Sequence, residues 1–190
     1  MPSNEHRSSA ADLLLQADER VFVELAEMES PILDETLPPL SEIASHSVLW
    51  VAISILIATF GGRKGRRTAI AGMAAVGATS ALANIVFKGL TRRERPHVAV
   101  PEDRRLPHPS SSSFPSGHTA SAAAYSGVVG REIDFLWLPL NALAGAVGLS
   151  RVYTGVHYPG DVVAGWLLGK IIAAVVVRVL DRVERRFGLS

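Results

Sequence analysis

The sequence contains no cysteine, and this absence excludes two kinds of site. Without a thiol, the chain can form neither a disulfide framework nor a thiolate metal centre. A large net charge is also absent, because 19 Lys and Arg against 18 Asp and Glu leave a formal charge of +1. Bulk charge therefore identifies no partner, and we expect none among nucleic acids.

No cleavable signal peptide is expected either, since the first residues lack a basic stretch followed by an apolar run. Later apolar segments are therefore expected to direct membrane insertion. The 190 residues suffice for one compact domain, and 48% of them are hydrophobic although the first 45 are strongly polar. We predict a polar N-terminal tail with an amphipathic helix over 1–42, followed by a transmembrane domain over 43–190.

Apolar segments recur along the second part of the chain, at about 43–60, 69–87, 118–130, 135–150 and 161–180. A bilayer crossing needs about 20 apolar residues, which 69–87 and 161–180 provide and 43–60 nearly provides. The segments 118–130 and 135–150 are short and rich in Ala, Gly and Ser, which allow close helix packing in lipid. The predicted fold is an all-α, polytopic transmembrane helical bundle of about five spans with an additional N-terminal amphipathic helix.

The N-terminal helix is predicted over about Ala11–Ser30, where Leu14, Val21, Leu25 and Met28 recur at helical spacing. Acidic residues lie between them, which argues against binding to anionic headgroups. Packing on the protein is favoured over the membrane surface. Pro31, Pro38 and Pro39 are then expected to break the chain.

Basic residues predict the orientation. The turn 61–67 and the C-terminal tail are rich in Arg and are expected to be cytoplasmic. Alternating spans then place the loops 88–117 and 151–160 on the outer face of the cell membrane. The loop 88–117 also contains several Arg, so this orientation requires that those residues have another role.

Three polar clusters occupy those two loops: Lys88 to Pro96, Phe114 to His118, and Ser150 to Asp161. Lys88, Arg95 and Arg151 lie at the ends of apolar segments, where unpaired charge is costly. Such an excess of cations favours an anionic ligand, and phosphate suits the planar fork of Arg and the point charge of Lys. Ser116 is expected as an N-cap, with Gly117 allowing backbone N–H groups to approach the anion.

Two histidines complete the predicted site. Pro159 suits the first turn of the last helix, which places Asp161 near its start and His157 just before it. Asp161 is expected to orient His157, which can attack phosphorus. His118 can protonate the leaving oxygen and then activate water. No cofactor and no metal are expected, since the carboxylates are too few for a two-metal site.

These clusters resemble the motifs of the type 2 phosphatidic acid phosphatase (PAP2) superfamily, which run K-x6-R-P, P-S-G-H and S-R-x5-H-x3-D. The sequence matches each defined position from Lys88 to Asp161, and the resemblance extends over roughly 46–180. It implies a helical bundle, metal-independent hydrolysis of a lipid phosphate, and membrane lipids as further partners. Family members often have six spans, and the N-terminal helix is expected to replace the first.

Other interpretations remain open. The site also resembles that of vanadate-dependent haloperoxidases, against which the apolar spans argue. A catalytically idle protein that binds or transports lipid phosphates would need the cations but not His118, His157 and Asp161. Among the other charges, Arg92, Arg93, Arg104 and Arg105 are interpreted as solvated loop residues, and Lys170 either pairs inside the bundle or extends toward the cytoplasm.

Overall fold

The computed structural model describes residues 9–45, 47–97, 100–107 and 110–188, without the side chains of Val86, Lys88 and Phe187. All regular structure within these ranges is helical. The helices are α1 (Ala10–Ala26), α2 (Pro31–Ser45), α3 (Val48–Phe60), α4 (Gly62–Ala81), α5 (Lys88–Leu90), α6 (Gly117–Glu132), α7 (Trp137–Tyr153) and α8 (Pro159–Phe187). A π-helical segment, Leu82–Phe87, joins α4 to α5, and a short 3-10 turn, Asp134–Leu136, precedes α7.

Helix α6 forms the centre of the bundle and packs against α4, α7 and α8. Its Ala, Ser and Gly residues are almost all buried, which explains why this segment is short and only moderately apolar. Glycines of α8 allow the closest approach, since a Cβ on Gly169 would lie 2.2 Å from the carbonyl oxygen of Ala120. Small residues at the interface thus bring two backbones together, as expected for helices that pack in lipid.

Within the described residues, three helical stretches are long and apolar enough to cross a membrane: Gly62–Ile85, Asp134–Tyr153 and Pro159–Arg186. The pair formed by α2 and α3, bent by 76°, provides a fourth if it is counted as one span. Along α8, exposed residues such as Val163, Leu167 and Ile171 follow one another at four-residue intervals. This apolar stripe is the surface that a lipid-facing helix presents. The expected number of about five spans stays a prediction.

The N-terminal helix begins at a capping box, in which Ser9 and Asp12 exchange hydrogen bonds with each other's backbone N–H. It packs on the bundle through Phe22 and Ala26, which are buried against Val100 and Val152. Of the predicted row, Leu25 packs against this cluster, whereas Leu14, Val21 and Met28 are exposed. Helix α1 therefore packs on the protein, as favoured, but mainly through the helix face of Phe22 and Ala26, which lies beside the predicted row.

The expectation that Pro38 and Pro39 break the chain is wrong, because both lie inside α2. Pro31 is the first residue of this helix, where proline is tolerated. An interior proline removes a backbone hydrogen bond. Tertiary contacts offset that loss here, since Leu37 is buried and Asp34 accepts a hydrogen bond from the Tyr153 hydroxyl at 2.6 Å.

Lys170 pairs inside the bundle, which decides between its two interpretations. Its ammonium group donates to Oδ1 of Asn141 at 2.6 Å and lies 4.9 Å from the centre of the Trp166 ring. A hydrogen-bond acceptor and an aromatic face thus stabilise this charge within the longest helix.

Candidate active site

The three sequence clusters meet at one end of the bundle. The backbone N–H of Ser116, before α6, donates to the carbonyl oxygen of Asp161 in the first turn of α8 at 2.9 Å. The backbone N–H of His157 donates to the carbonyl oxygen of Arg151, near the end of α7, at 3.0 Å. These bonds fix the starts of α6 and α8 and the end of α7 relative to one another.

His157 lies in the middle of this end and is only 2% exposed. Its Nε2 is 3.4 Å from Nη1 of Arg95, and its Nδ1 is 3.5 Å from Oδ2 of Asp161. Burial, reinforced by Arg95 and Arg151 and opposed by Asp161, lowers the pKa of His157 to about 4. The imidazole is therefore neutral at physiological pH, the state in which a ring nitrogen can act as a nucleophile or base.

Asp161 is fully buried in the first turn of α8, which begins at Pro159 as the sequence predicts. Its Oδ2 accepts from the backbone N–H of Tyr158 at 3.0 Å and also faces His157. Its Oδ1 accepts from Arg93 at 2.8 Å. The distance of 3.5 Å to Nδ1 of His157 is too long for a good hydrogen bond, and this buried Nδ1 has no hydrogen-bond partner among the described residues. Catalytic contacts often shorten only when substrate binds.

Two buried guanidinium groups surround the histidine. Arg95 is 7% exposed, and it donates to the carbonyl oxygen of Val156 at 2.8 Å and to that of Ser111 at 3.2 Å. Burial lowers the pKa of Arg95 from its ordinary value, although a guanidinium remains charged in proteins. Arg151 is 3% exposed, and its Nη1 donates to the hydroxyl of Ser41 at 2.7 Å and to that of Ser45 at 3.2 Å.

The Nε of Arg151 is buried, and no group in the described part of the chain accepts its proton. A buried donor without an acceptor costs about 1–3 kcal/mol, so such an atom suits a site that receives an anion. Together, Arg95 and Arg151 place two positive charges beside neutral His157. This arrangement fits a tetrahedral anion in contact with the imidazole.

His118 lies in the first turn of α6, partly exposed, with Nε2 3.2 Å from the carbonyl oxygen of Ser45. Ser116 occupies the N-cap position as predicted, but its hydroxyl pairs with that of Thr119 at 2.9 Å and does not cap a backbone N–H. The Ser116 hydroxyl is therefore paired with the Thr119 side chain instead of with the backbone of α6. A Cβ on Gly117 would meet only ordinary contacts, so its role in admitting an anion stays a prediction.

Lys88 begins α5, and its side chain lies outside the described part of the structure. Its predicted contact with phosphate therefore stays a prediction. Across the described ranges, no group of three His, Asp or Glu side chains could hold a metal ion.

The interpretation of Arg93 and Arg104 as solvated loop residues is wrong. Arg104 is 4% exposed, forms an ion pair with Asp34 and donates to the carbonyl oxygen of Met28 at 2.8 Å. Arg93 lies between Asp161 and Asp18 of α1 and pairs with both. Arg92 and Arg105 are exposed, as predicted.

Sequence reasoning also missed the contribution of α2. Ser41 and Ser45 are one helical turn apart, and their side chains both contact Arg151. Two hydroxyls at this spacing share a helix face, and this signal is readable in the sequence. Asp18 carries no comparable signal, because acidic residues are frequent throughout α1.

Similarity to known proteins now identifies the family. A family model described as the PAP2 superfamily matches residues 67–185, the region that contains Arg95, His118, Arg151, His157 and Asp161. The chain belongs to the PAP2 superfamily. The resemblance of the motifs and the expected class of fold are thereby confirmed.

Several curated relatives of this PAP2 protein are named as phosphatases. Decaprenylphosphoryl-5-phosphoribose phosphatase of Mycobacterium tuberculosis is 36% identical over 157 residues, 82% of this chain and 85% of the relative. Phosphatidylglycerophosphatase B of Bacillus subtilis is 32% identical over 181 residues, 89% of this chain and 86% of the relative. The chain is thus an enzyme of the phosphatase class, as expected.

A solved structure extends the similarity to three dimensions. The crystal structure of a transmembrane PAP2 type phosphatidylglycerolphosphate phosphatase from Bacillus subtilis matches with a TM-score of 0.73 and 26% identity. The match covers 92% of this chain and 89% of that chain. With the apolar helices, it identifies this protein as a membrane protein.

Proposed function

We propose that this PAP2 protein removes a terminal phosphate from a lipid phosphate or diphosphate through a phosphohistidine at His157, without a metal ion. The observation that carries this proposal is the pair of buried guanidinium groups, Arg95 and Arg151, beside a buried neutral imidazole. The relatives named above act on lipid-linked phosphates by name, and the apolar surface of α8 suits a site that a lipid enters from the bilayer.

The first chemical step is attack by His157 on phosphorus. The neighbouring Arg95 lies against Nε2, so this is the nitrogen that faces a bound phosphate. As the N–P bond forms, the P–O bond to the lipid breaks, and His118 gives its proton to the leaving oxygen. Asp161 stabilises the positive charge that develops on the ring of His157.

The second step returns the enzyme to its starting state. Deprotonated His118 takes a proton from water, which attacks the phosphohistidine, and the N–P bond breaks to release inorganic phosphate. Arg95 and Arg151, with Lys88 and the N-terminal turn of α6 at Ser116 and Gly117, stabilise the equatorial oxygen atoms in both steps. The positive charge of the side chains replaces that of a metal ion in this scheme.

A metal-removal experiment tests the mechanism. Phosphate release by detergent-purified protein is measured with phosphatidic acid, phosphatidylglycerophosphate and a polyprenyl phosphate or diphosphate, with and without EDTA. We expect turnover of at least one lipid to persist in EDTA and to be inhibited by vanadate, which occupies the phosphate position. Loss of activity in EDTA that Mg²⁺ restores would contradict the proposal.

The site is also proposed to face outward from the cell membrane. The basic segment 61–67, with which α4 begins, lies near the end of α8, since Arg67 forms an ion pair with Glu184. Positive charge favours the cytoplasm. Single cysteines at Ser110 and Arg66 can be labelled cleanly in a chain without native cysteine. In intact cells, an impermeant maleimide should label Ser110→Cys and spare Arg66→Cys, whereas the opposite result would reverse the topology.

A further inference from the structure

The N-terminal helix reaches the active site through one carboxylate. Asp18 of α1 accepts from Arg93 with Oδ2 and from the backbone N–H of Gly160 with Oδ1, at 2.6 Å for the latter. Arg93 uses its other terminal nitrogen to donate to Asp161 at 2.8 Å. A chain of charged contacts therefore runs from α1, through Arg93, to the carboxylate that faces His157.

We propose that Asp18 is a positioning residue of the reaction, which holds Arg93 and the first turn of α8 so that Asp161 stays directed at His157. This inference rests on the proposed function, because it concerns the orientation of the proposed nucleophile. Asp18 lies outside the region that the family model matches, so the inference adds a residue from α1 to the site.

The geometry of Asp161 explains why Arg93 must be held. The two oxygen atoms of Asp161 have different contacts, Arg93 at Oδ1, and the Tyr158 backbone N–H together with His157 at Oδ2. Guanidinium groups favour bidentate pairing with a carboxylate. Without Asp18, Arg93 is expected to turn toward both oxygen atoms of Asp161 and to compete with His157. Asp18 prevents this by occupying the other terminal nitrogen of Arg93.

Burial makes these contacts effective. The side chains of Asp18, Arg93 and Asp161 are 12%, 22% and 0% exposed, so water screens them little. Burial opposes the charge of Arg93, yet its two carboxylate partners raise the pKa of Arg93 above its ordinary value. The cation is therefore shared between Asp18 and Asp161.

An aromatic contact and a cation–π contact, both with Tyr158, support the same position of α1. The Phe22 ring, one turn after Asp18, packs edge-on against Tyr158 with centroids 5.5 Å apart, and Arg93 lies 4.4 Å from the centre of the Tyr158 ring. A Cβ on Gly160 would lie 2.8 Å from Oδ2 of Asp18, so the glycine leaves room for the carboxylate. Helix α1 thus packs closely against the first turn of α8 at this point.

The test is a set of charge-neutral substitutions. Asp18→Asn keeps the size of the side chain and an acceptor for Gly160, and removes the charge that holds Arg93. Because Asp161 would no longer be held toward His157, we expect kcat to fall about 10- to 100-fold. KM should change little, because Arg95 and Arg151 still bind the phosphate. Glu24→Gln, an exposed residue of the same helix, is the matched control and should retain wild-type kcat and KM.

A double-mutant cycle separates positioning from general stabilisation. If Asp18 acts through Asp161, Asp18→Asn should cost little further activity in an Asp161→Asn background. Equal losses in both backgrounds, or wild-type kcat in Asp18→Asn, would overturn the inference. If Asp18→Asn fails to fold, Arg93→Lys provides the test, because an ammonium cannot bridge two carboxylates as a guanidinium does. A lower kcat in folded Arg93→Lys is expected, and unchanged kcat would overturn the inference.

The wild type distinguishes this inference from the proposed function. One possible result is that the wild type releases phosphate, that His157→Ala does not, and that Asp18→Asn is as active as the wild type. Asp18 then has no positioning role, and the proposed function stands. If the wild type hydrolyses none of the lipids named above, the proposed function falls and this inference falls with it.

Discussion

The two ends of the helix bundle are both rich in arginine but use it differently. At the active-site end, Arg95 and Arg151 are buried, at 7% and 3% exposure, and each is held by several oxygen atoms of the protein. At the basic end, formed by the segment 61–67 at the start of α4 and the last turns of α8, Arg63 and Arg66 are exposed. Buried cations cost desolvation and are retained where they bind something, whereas exposed cations orient the chain in the membrane.

The active-site end should respond most strongly to loss of His157, because this removes the nucleophile itself. We expect His157→Ala to lower turnover about 10⁴-fold or more and to prevent formation of a phosphoenzyme. His118→Ala should lower turnover of a lipid phosphate about 10²–10⁴-fold. With a good leaving group such as nitrophenolate, His118→Ala should still form the phosphohistidine in part, because the leaving oxygen needs no proton. The second step still lacks its base, so phosphoenzyme should accumulate.

The measurement is acid-labile, base-stable phosphate on the protein after rapid quench with a labelled, activated substrate. We expect label on His118→Ala and none on His157→Ala. The reverse pattern would mean that the two histidines exchange roles. Label on neither, with both variants folded and the wild type active, would favour direct attack by water.

Arginine-to-lysine substitutions at the two ends test the comparison directly. Arg151→Lys keeps the charge but loses the planar fork, and we expect kcat/KM to fall about 10²-fold. Arg66→Lys, at the basic end, should change kcat/KM by less than about twofold, as is usual for surface substitutions. Steady-state kinetics in one detergent checks both variants, and similar losses at both ends would contradict the distinction between buried and exposed arginines.

The same contrast shows how far the sequence predicts the site. Motif spacing identified His118, His157, Asp161, Arg95 and Arg151, and the structure links these residues through direct contacts or shared partners. The clusters meet because each is local in sequence and lies at the end of an apolar helix, so that helix packing brings them together. The roles of these residues and the contact of Lys88 with phosphate stay predictions.

Residues that support the site from a distance could not be predicted in this way. Asp18 contacts Gly160 across 142 positions of sequence, and Ser41 contacts Arg151 across 110. Neither is part of a motif, and helix periodicity does not specify which helices are neighbours. Arg92 and Arg93 are adjacent in one loop, yet one is exposed and the other pairs with two carboxylates. Only the tertiary structure shows which of two such residues is exposed and which is paired.

The last prediction concerns the dependence of folding stability on pH through the buried His157. Burial lowers the pKa of His157 from an ordinary 6.5 to about 4. Between these values the unfolded chain binds a proton that the folded protein excludes, so stability rises with pH. The contribution is complete above about pH 6.5 and is lost as the pH falls to about 4, and at about 1.4 kcal/mol per pKa unit it amounts to about 3 kcal/mol at most.

Thermal unfolding in detergent across this pH range measures the contribution. His157→Gln removes the titrating group, so its Tm should fall less between pH 6.5 and 4 than that of the wild type. His97→Gln is the matched control, because the His97 imidazole is 77% exposed and pairs only with the side chain of neighbouring Glu94 in the described structure. Its pH profile should follow the wild type. Parallel profiles for wild type and His157→Gln would show that His157 accepts its proton in the folded protein as readily as in the unfolded chain. The proposal that attack starts from a neutral, buried imidazole would then be wrong.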